Sequence, residues 1–450
     1  MDAVLQVIWA TIPNDCVYYR GTEEYQAVNW TCSAREDSPA IIIAPNSADI
    51  VSLFLRTIRP HVLAGVTTIG IRGMGSQRAL GCANARNGVL VITRSLREIE
   101  FDIPTGIVSI GAGANWEDVH QLLASHSLAV ASAKFGRLLG GASVASAALS
   151  GGLSMYSARE GLICDNVVAY EIVLASGEIV KCSAENEPDL FRALRGGGNN
   201  FGIVTTVDMR TFPQSCFRYT TVLYPYDSMP SQIDALVGCL NTTHNETDIT
   251  MTMVCTFNTP TPRCRNQVCY ISNLGSAPAT DPLVDVQRTA FRASLLAYPQ
   301  RTPVVITPHN RQNRRHTSAN VTLKPHATTL IIVTRMFLPY SVSLLTKCLE
   351  AGGNATGLSP DDGPLISVDV VLRALHSYID VIERVAMLNS QFVRYQDMHR
   401  AAEFQDPIHS YGSENRQFLQ RVSQRYDPEG LFQQGVPGGS KLFRTRTAEE

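Results

Sequence analysis

The first part of the chain alternates apolar runs and polar turns in the order strand, helix, strand. The run Pro39–Pro45 is apolar between its two prolines, as in a buried strand. Asn46 and Ser47 then offer side-chain oxygens that cap a helix over 48–58. The apolar residues of this helix share one face: Ile50, Val51, Phe54 and Leu55. The pattern predicts a βαβ opening that leads into the strand Thr67–Ile71.

The same reasoning continues to about residue 214. Ile99–Asp102 and Ile107–Ile110 form a hairpin pattern, after which Asn115 caps a helix over Trp116–Ser125. Three further elements complete this region: a strand pair within Asn166–Val180, a helix over Pro188–Leu194 and a strand over Phe201–Thr205. A change of composition at Phe212-Pro213 marks the end of the region.

The second half of the chain has the pattern of a sheet covered by helices. The predicted strands are Tyr219–Tyr224, Asp248–Cys255 and Thr329–Thr334. The predicted helices are Met229–Cys239, Pro282–Leu296 and Ser341–Glu350. The segment between Tyr298 and Thr328 is rich in proline, arginine and asparagine, which favours a surface loop or lid.

Length and charge narrow the class of protein. A chain of 450 residues exceeds what one hydrophobic core usually holds, so two domains are expected. A net charge of −2 with 17% charged residues provides no basic surface for nucleic acid, and no apolar run is long enough to cross a membrane. A small-molecule partner is therefore expected, with no nucleic acid and no membrane.

The cysteines and the first residues bear on the compartment. The 11 cysteines are odd in number and lack C-x-x-C spacing, which argues against a zinc site and a fully paired disulfide framework. The N-terminus lacks the pattern of a signal peptide, so the chain is expected to be cytoplasmic unless a leader has been removed. Five sequons leave secretion open: Asn29, Asn241, Asn245, Asn320 and Asn354.

A glycine loop follows the strand that ends near Ile71. Gly73 and Gly75 lack a Cβ, so their backbone N–H groups can turn towards an anion, and Arg72 adds a positive charge. These residues have the chemistry of a phosphate cradle. The loop alone is weak support, because most glycine-rich turns between strands are structural.

Longer motifs place the loop in a family. The chain resembles the fungal FAD-linked oxidoreductases with a PCMH-type FAD-binding domain, related to berberine bridge enzymes, over nearly its whole length. The segments that carry the resemblance are Gly140–Ser154, Cys164–Val180, Asp189–Thr205, Gln405–Gly412, Tyr426–Pro428 and Val436–Gly439.

The resemblance implies an α+β fold with a two-part FAD-binding domain. That domain is expected over 1–214 and is completed by 401–450, while residues 215–400 form a substrate-binding domain with an antiparallel sheet covered by helices. The expected cofactor is FAD. The positions that the resemblance places along it are Arg72, Gly73, Met74, Gly75, Ser76, Ser143, Ser146, Gly151, Ile203 and Val204.

Several of these positions depart from the family pattern. Ser76 replaces the histidine that bonds covalently to the flavin, so the resemblance implies a non-covalent FAD, and Met74 replaces a glycine. Ser143, Ala145, Ser146 and Ser150 also stand where the family has glycines, while Gly151 and Gly152 remain. Because glycine alone readily adopts positive φ, the serines either keep ordinary backbone angles and admit flavin or exclude it.

The catalytic strand diverges as well. Where many relatives carry an Asn-Tyr pair before Gln405-Asp-Pro, this chain has His399 and Arg400. His399 is a candidate general base because its ordinary pKa lies near neutrality, and Arg400 is a candidate for polarising a substrate carbonyl. Tyr411 is a third candidate, although packing over the flavin pocket suits it better. His309 and His316 are interpreted as solvated.

Three functions remain open at this point. The first is an FAD-linked oxidoreductase of secondary metabolism that oxidises or oxidatively cyclises a small organic substrate. The second is a redox-silent cyclase, for example a Diels–Alderase, on the same fold with a degraded flavin site, and the third is a ligand-binding module. The departures at Met74, Ser76, 143–150 and 399–400 favour the cyclase, whereas the family base rate favours the oxidoreductase.

Overall fold

The computed structural model describes residues 1–29, 38–73, 83–133, 143–242, 249–256, 263–273, 317–323, 336–372, 375–398, 400–401 and 405–443. The helices in these ranges are α1 (Asp2–Thr11), α2 (Glu23–Val28), α3 (Ala48–Leu63), α4 (Trp116–Ala124), α5 (Val144–Leu149), α6 (Ser157–Glu160), α7 (Pro188–Leu194), α8 (Met229–Thr242), α9 (Val342–Glu350), α10 (Leu375–Leu388), α11 (Pro407–Ser410) and α12 (Ser413–Tyr426).

The strands fall into three main sheets and a short ribbon. They are β1 (Val17–Tyr19), β2 (Ile41–Ile43), β3 (Ile69–Arg72), β4 (Val89–Ile92), β5 (Ile99–Asp102), β6 (Ile107–Gly111), β7 (Leu128–Ala129), β8 (Val167–Val173), β9 (Ile179–Ser183), β10 (Ile203–Arg210), β11 (Phe212–Pro213), β12 (Ser215–Pro225), β13 (Ile249–Thr256), β14 (Arg263–Asn273), β15 (Thr317–Leu323), β16 (Met336–Tyr340), β17 (Leu365–Leu372) and β18 (Phe392–Val393).

The first sheet confirms the predicted βαβ opening. Its strand order is β1-β2-β4-β3, and β2, β4 and β3 run parallel. The Ser47 hydroxyl caps α3 by accepting the Ile50 N–H at 3.3 Å. The helix continues past the predicted end at residue 58 to Leu63, because its apolar face continues through the buried Ile58 and Val62.

The second sheet is antiparallel, with the order β5-β6-β10-β8-β9. It contains both predicted strand pairs. The Asn115 side chain caps α4 as expected, since its Oδ1 accepts the Asp118 N–H at 2.9 Å, and the predicted helix over Pro188–Leu194 has those bounds.

The third sheet has seven antiparallel strands in the order β12-β14-β13-β16-β17-β15-β18. It contains two of the three predicted strands, and α8 and α9 match predicted helices. The predicted loop over 298–328 is wrong in part, because it includes β15, which pairs with both β17 and β18. The β-branched residues Thr317, Val321 and Thr322 suit a strand. The predicted strand Thr329–Thr334 and helix Pro282–Leu296 lie outside the described residues.

The C-terminal segment packs back onto the first half of the chain. α12 contacts α7, and a π-helical turn over Leu431–Gly435 contacts α3. The Gln433 Nε2 donates to the Asn200 Oδ1 at 3.1 Å. This arrangement agrees with a C-terminal return to the first domain, while the boundaries at 214 and 400 stay predictions. Within the described ranges, no helix combines the length and apolar character needed to span a membrane.

A buried ion-pair cluster connects the first half of the chain to the segment after α9. We define it as Asp165, Arg195 and Asn354. The Asp165 Oδ1 accepts from the Arg195 Nη2 at 3.0 Å and from the Asn354 Nδ2 at 2.9 Å. The Arg195 Nη1 also donates to the Ala351 carbonyl at 3.0 Å. Because Asn354 is buried and its amide is engaged here, this sequon is closed to glycosylation in the folded protein.

Candidate functional site

A cavity of about 910 Å³ lies at one edge of the first two sheets. Its volume falls in the range of about 300–1,000 Å³ that is typical of small-molecule sites. The structure brings five of the predicted cofactor positions into its wall: Gly73, Ser143, Ser146, Ile203 and Val204. These residues come from the end of β3, the start of α5 and the start of β10, so three distant parts of the sequence converge here.

The ends of two neighbouring parallel strands form the floor of the cavity. Arg72 pairs with Ile92 in the β3–β4 register, so Gly73 and Thr93 are the next residues on adjacent strands. Both line the cavity. Ligands of parallel sheets bind characteristically outside the carboxyl ends of the strands.

Gly73 is required by close packing. A Cβ at this position would lie 2.3 Å from the Ser143 Oγ and 2.7 Å from the Ser143 Cβ. Such distances are far below van der Waals contact, so only glycine fits without displacing Ser143.

Thr93 was missed by the sequence reasoning. This residue is 4% exposed, and its Oγ1 makes no hydrogen bond with the described part of the protein. Buried polar atoms are nearly always partnered, and Thr93 shares this exception with Trp116 and Ser367, which do not line the cavity. The available signal was its position directly after the buried strand Val89–Ile92.

The serines that replace family glycines have ordinary backbone angles. Ser143 has a φ of −67° and Ser150 a φ of −106°. Ser143 caps α5, because its Oγ accepts the Ser146 N–H at 3.1 Å. Gly151 and Gly152, by contrast, have φ values of 94° and 74°. Glycine is therefore retained where the backbone is left-handed, and the serines do not distort the wall.

Two of the predicted positions lie behind the wall. Gly151 is not among the lining residues, and a Cβ built on it would meet Leu162 at 3.5 Å. Arg72 is 1% exposed, and it donates to the Ala83 carbonyl at 2.9 Å and to the Asn84 Oδ1 at 3.1 Å. Burial lowers the pKa of Arg72 to about 10. Arg72 thus holds Asn84, which lines the cavity, in position. A direct contact between Arg72 and a phosphate stays a prediction.

The C-terminal segment supplies the opposite wall, including Asp427. The Asp427 carboxylate accepts the backbone N–H groups of Leu431 at 2.9 Å and Phe432 at 2.7 Å. Burial raises the pKa of this carboxyl, and the two N–H donors oppose the shift. Sequence reasoning quoted Tyr426-Asp-Pro428 as a family motif without assigning Asp427 to the site.

The segment predicted as the catalytic strand borders the same cavity, but its described residues form no strand after Val393, where β18 ends. Met398 and Ala401 line it, and Met398 packs on Gly198, where a Cβ would lie 2.9 Å from the methionine sulfur. Arg400 is largely buried, with its Nε 3.6 Å from the Asp397 carboxylate and its Nη1 3.6 Å from the Met336 sulfur. His399, between these residues, lies outside the described residues.

Tyr411 is a packing residue in the structure. Its ring stacks on Tyr395 with centroids 6.1 Å apart, and its hydroxyl donates to the Gly196 carbonyl at 3.0 Å. Burial raises the pKa of Tyr411 well above its usual range, so the phenol stays protonated at neutral pH. These features favour the packing role that the sequence suggested over a role as a base.

Some predicted positions fall outside the described residues. They are Met74, Gly75 and Ser76 in the glycine loop, and His309 and His316 in the second half of the chain. Their roles stay predictions.

The residues that are described fit a flavin nucleotide. Glycine at 73 and at 198 lets Ser143 and Met398 pack into the cavity wall, and Asn84 and Asn199 add polar side chains to it. Ile203 and Val204 add an apolar wall beside these polar groups. A mostly apolar wall with a few placed polar groups suits a ligand with both a flat ring and a charged tail.

Comparisons with known proteins identify the same ligand. Residues 39–183 match the family described as FAD binding domain. The FAD-dependent monooxygenase drtC of Aspergillus calidoustus is 25% identical over 97% of this chain and 88% of its own length. The FAD-dependent monooxygenase FUP4 of Fusarium proliferatum is 28% identical over 93% of this chain and 88% of its own length.

Solved structures show the same fold. A BBE-like 1 variant from Physcomitrella patens has a TM-score of 0.75 at 16% identity, covering 98% of this chain and 100% of the other. Xylooligosaccharide oxidase from Myceliophthora thermophila has a TM-score of 0.73 at 18% identity, covering 98% of each chain. The chain therefore contains an FAD binding domain and has the fold of the berberine bridge enzyme-like oxidoreductases with a PCMH-type FAD-binding domain, and its cofactor is FAD.

Proposed function

We propose that this protein is an oxidoreductase of fungal secondary metabolism that holds FAD without a covalent bond and oxidises, or oxidatively cyclises, a small organic substrate. The observation that carries the proposal is the cavity that joins Gly73, Thr93 and Ser143 to Ile203 and Val204. The relatives drtC and FUP4, both named FAD-dependent monooxygenases, support oxygen as the electron acceptor.

The cofactor and the residues of the cavity have different roles in the proposed reaction. The chemistry that FAD supplies when bound is the acceptance of a hydride and the transfer of its electrons to O₂. The strand ends at Gly73 and Thr93 would hold the cofactor, and Ile203 and Val204 would provide the apolar wall beside it. Met398 and Ala401 border the cavity, and the sequence between them contains His399, which we propose as the group that takes the substrate proton.

The non-covalent attachment rests on Ser76. A serine hydroxyl cannot form the nitrogen–carbon bond that the family histidine makes, so contacts alone retain the cofactor. The cavity wall that includes Gly73, Ser143 and Val204 would make those contacts.

The redox-silent cyclase loses one of its supports in the structure. Its case from the sequence included the lost glycines at 143–150, and Ser143 and Ser150 have backbone angles that any residue adopts.

The visible absorbance spectrum of the purified protein, with and without added FAD, tests the proposal. We expect flavin bands, full release of the flavin into the supernatant on acid precipitation, and O₂ consumption with an oxidisable substrate. His399→Ala should keep the flavin bands and lose turnover. A colourless protein that takes up no FAD would refute the flavin proposal, and flavin retained in the acid pellet would refute the non-covalent attachment.

A further inference from the structure

A second cavity, of about 220 Å³, lies where the end of β18 meets α11 and the start of α12. It shares no lining residue with the 910 Å³ cavity. Its wall includes Arg394, His409, Gly412, Ser413 and Arg416. The second cavity therefore lies outside the candidate FAD site, and its wall carries basic side chains.

Two guanidinium groups meet at one imidazole ring in this cavity. The Arg416 Nη1 lies 3.1 Å from the His409 Nδ1, and the Arg394 Nη2 contacts the Nε2 of the same ring. A guanidinium only donates hydrogen bonds, and an imidazole ring has at most one acceptor nitrogen. At most one of the two contacts is therefore a hydrogen bond, so the cluster is richer in donors than in acceptors.

The charge of the wall is positive. Arg394 directly follows β18 and Arg416 lies in the first turn of α12, so the fold brings the two guanidinium groups to the same ring. Among the described residues, no carboxylate lines the second cavity. Asp406 caps α11 by accepting the His409 N–H at 2.9 Å, and its residue lines the 910 Å³ cavity. Two positive charges held at one ring repel each other, and a bound anion would offset that repulsion.

Neutral donors add to the two arginines. The 14-residue helix α12 begins at the second cavity, and its N-cap Gly412 makes no side-chain cap. The backbone N–H groups of a helix's first turn attract anions. The Ser413 hydroxyl belongs to the same wall. Donors that come from several directions suit a tetrahedral oxyanion better than a planar carboxylate, which a single guanidinium fork can bind.

We propose that the second cavity binds a phosphate group, which Arg394 and Arg416 hold between them. The ligand is inorganic phosphate or a small phosphate monoester, because both present the same oxygens. Arg394 continues from the edge strand of the third sheet and Arg416 belongs to the C-terminal segment, so the bound phosphate would link these two parts of the chain. The site is separate from the FAD cavity and does not depend on the proposed oxidation.

The experiment titrates inorganic phosphate into the FAD-loaded protein, in which the cofactor site is already filled. The ionic strength is kept constant with sodium chloride, and binding is followed by the Tm and by the line width of the ³¹P resonance. Wild type should show a saturable rise in Tm, since a ligand of the folded state stabilises it. Arg416→Gln should weaken phosphate binding about five- to tenfold, as expected for a lost charged donor in a partly exposed site.

The matched control is Arg421→Gln, which removes the same charge from an exposed position of α12 outside the second cavity. This variant should bind phosphate like wild type. Arg416→Lys keeps the charge without the planar fork, so its affinity should lie between those of wild type and Arg416→Gln.

Phenyl phosphate, titrated in the same way, distinguishes the two sources of the phosphate group. Binding of both probes supports a site for free phosphate, and binding of phenyl phosphate alone supports a site for a phosphate monoester. The absence of saturable binding of either probe, or equal losses in Arg416→Gln and Arg421→Gln, would overturn the proposal. If Arg416→Gln does not fold, Arg394→Gln makes the same test at an exposed residue on the other side of the His409 ring.

Discussion

Two buried polar clusters of the molecule differ in how many of their polar atoms form hydrogen bonds with the protein. In the ion-pair cluster, the Asp165 carboxylate accepts from Arg195, Asn354 and the Leu162 N–H, the last at 2.9 Å. In the second, formed by Gly73, Thr93 and Ser143, the Thr93 hydroxyl is unused by the described residues. The hydrogen bonds that Asp165 accepts therefore stabilise the fold, whereas the protein itself gains no hydrogen bond from the Thr93 hydroxyl.

The largest effect is expected at Asp165. Asp165→Asn leaves the buried Arg195 without its carboxylate, so the free energy of unfolding should fall by about 3–5 kcal/mol. Chemical denaturation measures this loss. The fraction that folds should bind FAD with wild-type affinity, because Asp165 does not line the cavity.

The matched control is the exposed ion pair between Lys347 and Glu350, whose charged atoms are 2.7 Å apart. Glu350→Gln should cost only about 0–1 kcal/mol, since solvent screens an exposed pair. If Asp165→Asn were as mild as Glu350→Gln, or if it selectively abolished FAD binding, the division between a structural and a ligand-binding cluster would be wrong.

An intermediate effect is expected at Gly73. The added methyl group of Gly73→Ala overlaps Ser143, and overpacking of this kind lowers the free energy of unfolding by about 1–3 kcal/mol. Ser143→Gly alone should cost only a few tenths of a kcal/mol, because glycine is tolerated at a helix N-cap. Thermal denaturation of the two single variants and the double variant forms a double-mutant cycle.

The double variant should recover much of the loss, with a coupling of about 0.5–3 kcal/mol, because Ser143→Gly removes both atoms that the methyl group added by Gly73→Ala would strike. Simple additivity of the two losses would show that Gly73 is constrained by something other than Ser143. FAD affinity, measured on the same variants, reports whether the strand ends contact the cofactor.

Sequence pattern predicted the elements well where packing is local. The starts of α3 and α4 follow from the capping residues Ser47 and Asn115, although α3 runs past its predicted end to Leu63. Family motifs located four residues of the cavity wall: Gly73, Ser143, Ile203 and Val204. The pattern failed for β15, because a short polar strand with Asn320 in it resembles a loop until its partners β17 and β18 are known.

The roles of individual side chains were harder to predict from the sequence. Whether the Thr93 hydroxyl forms a hydrogen bond depends on all of its neighbours in the folded protein. The same is true of the hydrogen bond that Arg72 donates to Asn84. The meaning of a glycine-to-serine replacement likewise depends on φ, which the sequence does not state. Ser143 and Gly151 are both small, yet only one of them has a left-handed backbone.

The smallest effect is expected at Ser150, a small residue whose backbone angles are ordinary and not left-handed. Ser150→Gly restores a family glycine at a site with ordinary backbone angles, so FAD affinity should not improve, and stability should fall by about 1 kcal/mol through loss of the hydroxyl bond to the Ser146 carbonyl. Gly152→Ala, its control, adds a Cβ 2.8 Å from the Ala147 carbonyl at a φ of 74°, and should cost about 1–3 kcal/mol. Tighter FAD binding by Ser150→Gly would mean that the lost glycines do impair the flavin site, and would return weight to the redox-silent cyclase.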